Sequence, residues 1–367
     1  MTKVLHIVGC IEKGGTEAFI MNNYRKLYEL GYIFDFYVVN PDSIHAYVDE
    51  IKKMGGFIYK GNTFKHKLKS LIELIKILKD NEYNVIHCNI NEGNVLPLLA
   101  AKICKVPIRI SHSHNTFGKR KGISHLKDII DVFIIKRCGN KFLACSNEAG
   151  DYLYGKSFFK KNGIIIKNGI DVKKYTNVCS KSVESLKSEL NIKNDELIVG
   201  NISRFDSQKN PLFVVDVFNE LLKLEPSCIL LMGGVDGGLL EKTKNKVRKY
   251  NIENKVRFIG VRTDMEVCLN LIDYFLFPSL FEGLGIVLLE AQASGCACFV
   301  SDVIPHEVDM GLNLIKFISL DETPENWAKA IIDNEKKCNN NLIIKLFKEN
   351  GYDIESSSVN LAEIYNG

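Results

Sequence analysis

Short β-rich apolar runs alternate with amphipathic segments along all 367 residues of the chain, and this alternation leaves few folds open. An apolar run of strand length followed by a helix-length amphipathic stretch describes a parallel sheet whose strands are covered on both faces. The strand candidates are Val4–Val8, Phe34–Val39, Val85–Ile90, Ile108–His112, Phe142–Ser146 and Ile164–Ile166 in the first half. In the second they are Leu197–Ile202, Cys228–Met232, Val256–Ile259, Tyr274–Phe277 and Cys298–Ser301. Single cores stop growing before a chain reaches this size, so the expected class is α/β with two Rossmann-like domains. The break is expected between Asn168 and Val178, where the apolar periodicity stops. Charge also changes sign there: residues 1–180 carry 28 Lys and Arg against 16 Asp and Glu, and the rest of the chain carries 20 against 28.

That imbalance points the first domain at something anionic. Its basic stretches show no aromatic stacking motif, which favours phospholipid and argues against nucleic acid. Two segments, Phe64–Asp80 and Lys119–Arg137, combine a Leu and Ile stripe with flanking lysines, as interfacial helices do. A helix covering a sheet has the same pattern. No apolar run approaches the roughly 20 residues that span a bilayer, and MTKVLHIVGCIEKGG lacks a cleavage signal. The expected location is therefore cytoplasmic and peripheral, at the inner membrane face. The 11 cysteines show no CxxC pair and often lie in apolar runs, as at Cys88, Cys145 and Cys228. They read as buried thiols of a reducing compartment. Cys296 and Cys298 lack the partners and spacing of a metal site.

The most informative stretch is FPSLFEGLGIVLLEAQASG, Phe277–Gly295. A buried strand leads into a loop holding Gly283 and Gly285, and then into a helix whose free N–H groups and positive dipole end suit a phosphate. Glu282 lies in the loop and Glu290 in the helix, so the two carboxylates can touch different parts of one extended ligand. Capping and surface ion pairing are the plainer roles for both. This pair resembles the signature of the retaining glycosyltransferases of family four. GGTE at Gly14–Glu17, NGID at Asn168–Asp171, ISRFDSQKN at Ile202–Asn210 and SDVIPHE at Ser301–Glu307 extend the resemblance over nearly the whole chain.

The resemblance implies the GT-B fold, two Rossmann-like domains facing a central cleft. The first spans residues 1–172, the second 173–352, and a C-terminal helix at about 353–367, within a helix-rich stretch from Asn340 to Asn366, returns to the first. It also implies roles. Arg204 and Lys209 match the basic pair that neutralises the donor diphosphate as the sugar bond breaks. Glu290 matches the residue that holds the ribose diol, and Glu282 the one facing the transferred sugar. Backbone N–H groups of Gly283, Leu284, Gly285 and Ile286 would bind sugar hydroxyls or phosphate, while Gly14 and Gly15 would approach the diphosphate. In RISHSHNT, His112 and His114 point to one side of a strand. His114 matches the family's active-site histidine, and His112 reads as a packed strand residue. LLMGGVDGG, Leu230–Gly238, departs from the family's shorter glycine turn, so Gly233 and Gly234 are left unassigned.

The expected reaction is metal-independent transfer of a hexosyl or N-acetylhexosaminyl group, without cofactor, from a nucleotide sugar, by family tendency a UDP-sugar. The acceptor would be lipid-linked or a saccharide, because RISHSHN, ACSNEAGDYLYG and EAQASG resemble the members that build capsule and exopolysaccharide. Rival readings are a catalytically silent partner of another transferase, a nucleotide-sugar epimerase, or a dinucleotide-dependent dehydrogenase. Glu282, Glu290, Arg204 and Lys209 together argue against the first. GCIEKGG is too widely spaced to serve as GxGxxG.

Overall fold

The computed structural model describes residues 2–12, 14–44, 46–64, 66–114, 123–333 and 340–367, with the backbone alone for residues 123–126. Asn115 and Thr116 of RISHSHNT and Lys119–Gly122 of the second basic segment lie outside the described residues. The chain divides into two compact units, one made of Met1–Ile170 with Gly351–Gly367 and the other of Asp171–Asn350.

The first unit holds strands β1 (Thr2–Val8), β2 (Tyr32–Val38), β3 (Ile58–Lys60), β4 (Val85–Cys88), β5 (Ile108–Ser113), β6 (Lys141–Ala144) and β7 (Gly163–Ile165). They form one parallel sheet in the order β3-β2-β1-β4-β5-β6-β7. In the second unit, β8 (Ile198–Ile202), β9 (Ile229–Gly233), β10 (Val256–Gly260), β11 (Tyr274–Phe277), β12 (Ala297–Ser301) and β13 (Ile315–Ile318) run parallel in the order β10-β9-β8-β11-β12-β13. Strand order therefore reverses between β1 and β4 and again between β8 and β11. At such a point neighbouring strands send their chains to opposite faces, and a crevice opens beyond their carboxyl ends.

β3 and β13 were not among the strand candidates. Both are edge strands whose residues are half-buried or exposed, so neither has the continuous apolar run that marks a central strand. The central strands do: every residue of β4, β8, β9 and β12 is buried.

Helices α1 (Gly15–Glu29), α2 (Lys67–Asn81), α3 (Val95–Ile103) and α4 (Ile123–Cys138) belong to the first unit, α5 (Pro211–Leu224) and α6 (Ile286–Ala293) to the second. α5 starts on Pro211, where a missing N–H costs nothing, and buries Val214, Val215, Val217, Phe218 and Leu221 against the six-stranded sheet. Trp327, the sole tryptophan, is fully buried in that core and donates Nε1–H to the Ser319 carbonyl at 3.1 Å.

Asn340–Glu349 and Ile354–Asn366 are separate helices in different units. The second packs on α1. Ile170 exchanges backbone hydrogen bonds with Tyr352 and Ile354, 2.9 Å each, and this explains the glycine of NGID. A Cβ on Gly169 would lie 2.6 Å from the Asp353 carbonyl oxygen and 2.5 Å from Ser357 Cβ, so any side chain there would push the returning helix away.

Every cysteine among the described residues is a free thiol, and most are buried, but Cys179 is exposed and Cys10 and Cys104 are half-buried.

Candidate active site

The reversal between β8 and β11 brings together the two loops that carry the predicted cations and the first predicted carboxylate. The loop after β8 runs through Arg204 and Lys209 into α5, and the loop after β11 runs through Glu282 and Gly285 into α6. Two hydrogen bonds staple them: Leu280 N–H to the Gln208 carbonyl at 2.8 Å and Gln208 Nε2 to the Phe281 carbonyl at 2.9 Å. Across this staple Lys209 Nζ forms an ion pair with Glu282, and Nζ also sits 4.8 Å from the centroid of the Phe277 ring. Glu282 is buried, so the opposite charge of Lys209 helps to keep its carboxylate ionised there. Arg204 differs. Its side chain is 53% exposed, and its one ion pair among the described residues is a loose contact with Asp206 at 3.7 Å, which leaves a guanidinium available to an anion.

The segment GGVDGG shapes the Arg204 loop. Phe205 N–H bonds the Val235 carbonyl at 2.9 Å, and Gly237 and Leu239 N–H bond the Phe205 carbonyl at 3.1 and 2.9 Å. A Cβ on Gly234, whose φ is +137°, would fall 1.9 Å from the Ser203 carbonyl oxygen, and one on Gly237 would fall 3.1 Å from Arg204 Cγ and Cδ. These glycines let one loop lie against the other. The unusual length of the segment hid that role in the sequence.

Gly283, Leu284, Gly285 and Ile286 lead into α6. Gly285 takes φ +86° at the helix start, where no side chain caps the first turn, so the backbone N–H groups there keep their capacity for an anion. Glu290 lies one turn along α6. Its Oε1 accepts a hydrogen bond from Tyr175 Oη at 2.7 Å. Burial pushes its carboxyl up to about 7, with the Tyr175 hydrogen bond and Lys174 acting in the opposite sense and Glu266 adding to the rise. Tyr175 was not singled out from the sequence, although it lies within the stretch read as the domain boundary.

In the first unit, Gly14 and Gly15 open α1, whose first turn also lacks a side-chain cap. Glu17 stands close above: a Cβ on Gly14 would fall 2.4 Å from Glu17 Oε2. His112 and His114 lie at the end of β5, with ring centroids 3.9 Å apart. His112 is fully buried and its Nδ1 lies 3.0 Å from Nε2 of His87 on β4, whose Nδ1 in turn lies 2.7 Å from Tyr365 Oη on the C-terminal helix. His6 on β1 is in register with His87 and 3.4 Å from the same hydroxyl. Sequence reading missed His6, His87 and Tyr365, because their proximity is set by strand order. His114 Nε2 lies 2.9 Å from Asn89 Oδ1, and burial pulls its imidazole down to about 3. Burial likewise pulls His6, His87 and His112 down from the ordinary imidazole value. Among the described residues no three His, Cys, Asp or Glu are grouped to hold a metal ion, and no helix is long and apolar enough to cross a membrane.

Residues 13–174 match the family described as Glycosyltransferase Family 4 and residues 182–343 that described as Glycosyl transferases group 1. EpsF of Bacillus subtilis (strain 168), assigned as a glycosyltransferase, is 30% identical over 99% of this chain and 96% of its own. A UDP-Gal:alpha-D-GlcNAc-diphosphoundecaprenol alpha-1,3-galactosyltransferase of Escherichia coli is 26% identical over 81% of this chain and 79% of its own. CapH of Staphylococcus aureus, a capsular polysaccharide biosynthesis glycosyltransferase, is 28% identical over 100% of this chain and 99% of its own. The crystal structure of Anabaena Alr3699/HepE in complex with UDP-glucose superposes with a TM-score of 0.83 at 16% identity, covering all of both chains. Two parallel-sheet units of this order, the full-length likeness to EpsF and the two family matches together make the chain a glycosyltransferase of family four, with the GT-B fold.

Proposed function

We propose that this enzyme transfers a hexosyl or N-acetylhexosaminyl group from a UDP-sugar, with retention of configuration and without a metal ion, to a lipid-linked or saccharide acceptor in capsule or exopolysaccharide synthesis. The observation that carries the reading is the junction of β8 and β11, where an available Arg204, the Lys209–Glu282 pair, an uncapped helix start and Glu290 share one unit. An extended ligand with a diphosphate between a diol and a sugar matches that series of groups. Arg204 and the α6 N–H groups would take the diphosphate, whose negative charge grows as the glycosidic bond breaks. Ionised Glu290 would accept both hydroxyls of the ribose. Glu282, held by Lys209, would face the sugar, and as the family resemblance implies, His114 would contact the donor sugar and Gly14 and Gly15 would approach the diphosphate. Retention would follow if the leaving phosphate itself takes the proton of the incoming hydroxyl, so that catalysis rests on positioning and charge stabilisation. Uridine and a lipid-linked acceptor are supported by the Escherichia coli relative and the Anabaena complex, and polysaccharide synthesis by the Staphylococcus aureus relative.

A peripheral site on an anionic membrane is part of the same reading. α2 buries Ser70, Leu74 and Leu78 but leaves Leu68 and Ile72 at 72% and 60% exposure among the exposed lysines 67, 69 and 76. α3 lies between α2 and α4, and α4 exposes Ile129, Ile130 and Phe133. Vesicles containing phosphatidylglycerol should retain the protein, vesicles of phosphatidylcholine alone should not, and the double variant Leu68→Ser with Ile72→Ser should weaken retention. Equal retention by both vesicle types would remove the anionic term.

The deciding experiment is UDP release from a panel of UDP-sugars, in chelator, by the native enzyme and by Glu282→Ala and Arg204→Ala. Release from one donor, lost in both variants, is the expected result. GDP release from a GDP-sugar in place of it would reassign the base.

A further inference from the structure

Asn89 follows β4 and decides which nitrogen of His114 carries a proton. Its Nδ2 lies 2.9 Å from the His87 carbonyl oxygen and 3.3 Å from that of Ile7. Carbonyl oxygens only accept, so the amide nitrogen must face them and Oδ1 must face away. Oδ1 is 2.9 Å from His114 Nε2, and since Oδ1 also only accepts, Nε2 holds the hydrogen. A neutral ring with Nε2–H has a bare lone pair at Nδ1. That atom is buried and has no partner among the described residues, which carries a desolvation penalty unless a ligand supplies a donor. The ring cannot turn to find one elsewhere. Phe19 of α1 packs on it at 5.5 Å between centroids, and His112 lies at 3.9 Å. Among the described residues, the titratable groups around it include His6, His87 and His112, whose pKa values burial lowers, and Cys145, whose Sγ lies 3.4 Å from the His114 carbonyl oxygen.

We propose that Asn89 is a positioning residue of the transfer reaction, fixing His114 as the Nε2–H tautomer so that its Nδ1 lone pair accepts a hydrogen bond from a hydroxyl of the transferred sugar. This rests on the reading above that His114 faces the donor sugar, and it adds which ring atom does so and what sets it. It also excludes the diphosphate from this position, because its anionic oxygens have no hydrogen to give and would be repelled by a lone pair.

The test combines 15N-detected histidine spectra of the whole enzyme with turnover of UDP-glucose and UDP-galactose and with UDP affinity. The wild type should show His114 as Nε2–H. Asn89→Leu should lose that preference and about tenfold to a hundredfold in kcat/KM, the range found when the hydrogen-bond partner orienting a metal-ligating histidine is removed. UDP, which lacks the transferred sugar that would meet His114, should bind as before, whereas a fold disturbed at Asn89 would weaken UDP too. Nδ1–H in the wild type, or native kcat/KM in Asn89→Leu, would overturn the proposal. Native turnover in His114→Ala would instead overturn the donor-facing reading of His114, whichever tautomer the spectra show.

Discussion

Arg204 and Lys209 are both basic and five residues apart, yet their surroundings separate what their loss should do. Lys209 neutralises a buried carboxylate, so Lys209→Ala removes a charge partner of Glu282 and should cost about 3 kcal/mol of stability. Arg204 is half in solvent with one loose partner, so Arg204→Ala should leave the melting temperature within about a degree and abolish turnover. Calorimetry beside the UDP-release assay separates the two, and equal melting of both variants would mean that the Lys209–Glu282 pair is not structural. Glu290 makes a prediction in pH. Its folded carboxyl is raised to about 7 from 4.5, so the protonated form is favoured by folding, and that contribution is full below about 4.5 and lost as pH rises through 7. Glu290→Gln should therefore melt higher than the native enzyme at pH 8 and about equally at pH 4.5. Donor binding runs the other way, because the ionised form accepts the diol, and affinity for UDP should rise through pH 7. Tyr175→Phe removes a hydrogen bond that holds the carboxyl down, so its profile should move to higher pH. A profile unchanged in Tyr175→Phe would mean that Glu290 does not set it.

Among elements, the loop pair after β8 and β9 shows how one strand connection supports another. Gly234 combines φ +137° with a Cβ position 1.9 Å from a backbone oxygen, and neither can relax without moving Ser203. Gly234→Ala should cost at least about 1–3 kcal/mol and should weaken UDP binding, because Arg204 directly follows Ser203. Gly238 has φ +97° but nothing within 4 Å of its Cβ position. Gly238→Asn, a residue that tolerates positive φ, should therefore be the milder change. Thermal melts with UDP titration check both. The same comparison at Gly31, with φ +85° and open space, provides a control remote in sequence from these loops.

At the scale of the whole molecule, a single tryptophan lies in one unit while the last helix lies in the other. Trp327 fluorescence should report unfolding of Asp171–Asn350 alone. Removing residues 354–367 takes away Tyr365, which closes the buried histidine chain, and Ser357, which donates to the Lys167 carbonyl at 2.8 Å. The truncated chain should lose ellipticity at a lower temperature while its tryptophan transition stays in place, and a parallel fall in both would show that the units unfold as one. Much of this architecture was legible in the chain. Phe275, Leu276 and Phe277 read as a buried strand because both faces of a central parallel strand are covered, and Glu282 and Glu290 stood out because a loop glycine and a helix start lie between them. What the sequence could not carry were relations between residues far apart in it. His6, His87 and Tyr365 meet because strand order and register set them side by side, Gly169 is required by a helix almost two hundred residues later, and β3 and β13 exist because a neighbouring strand supplies their hydrogen bonds. Local periodicity determines which segments become strands and helices, since each residue's burial follows from its own element. Which charges pair, which imidazole nitrogen carries the proton and which glycine is irreplaceable depend on distances across the sheet, and those were decided by the tertiary structure.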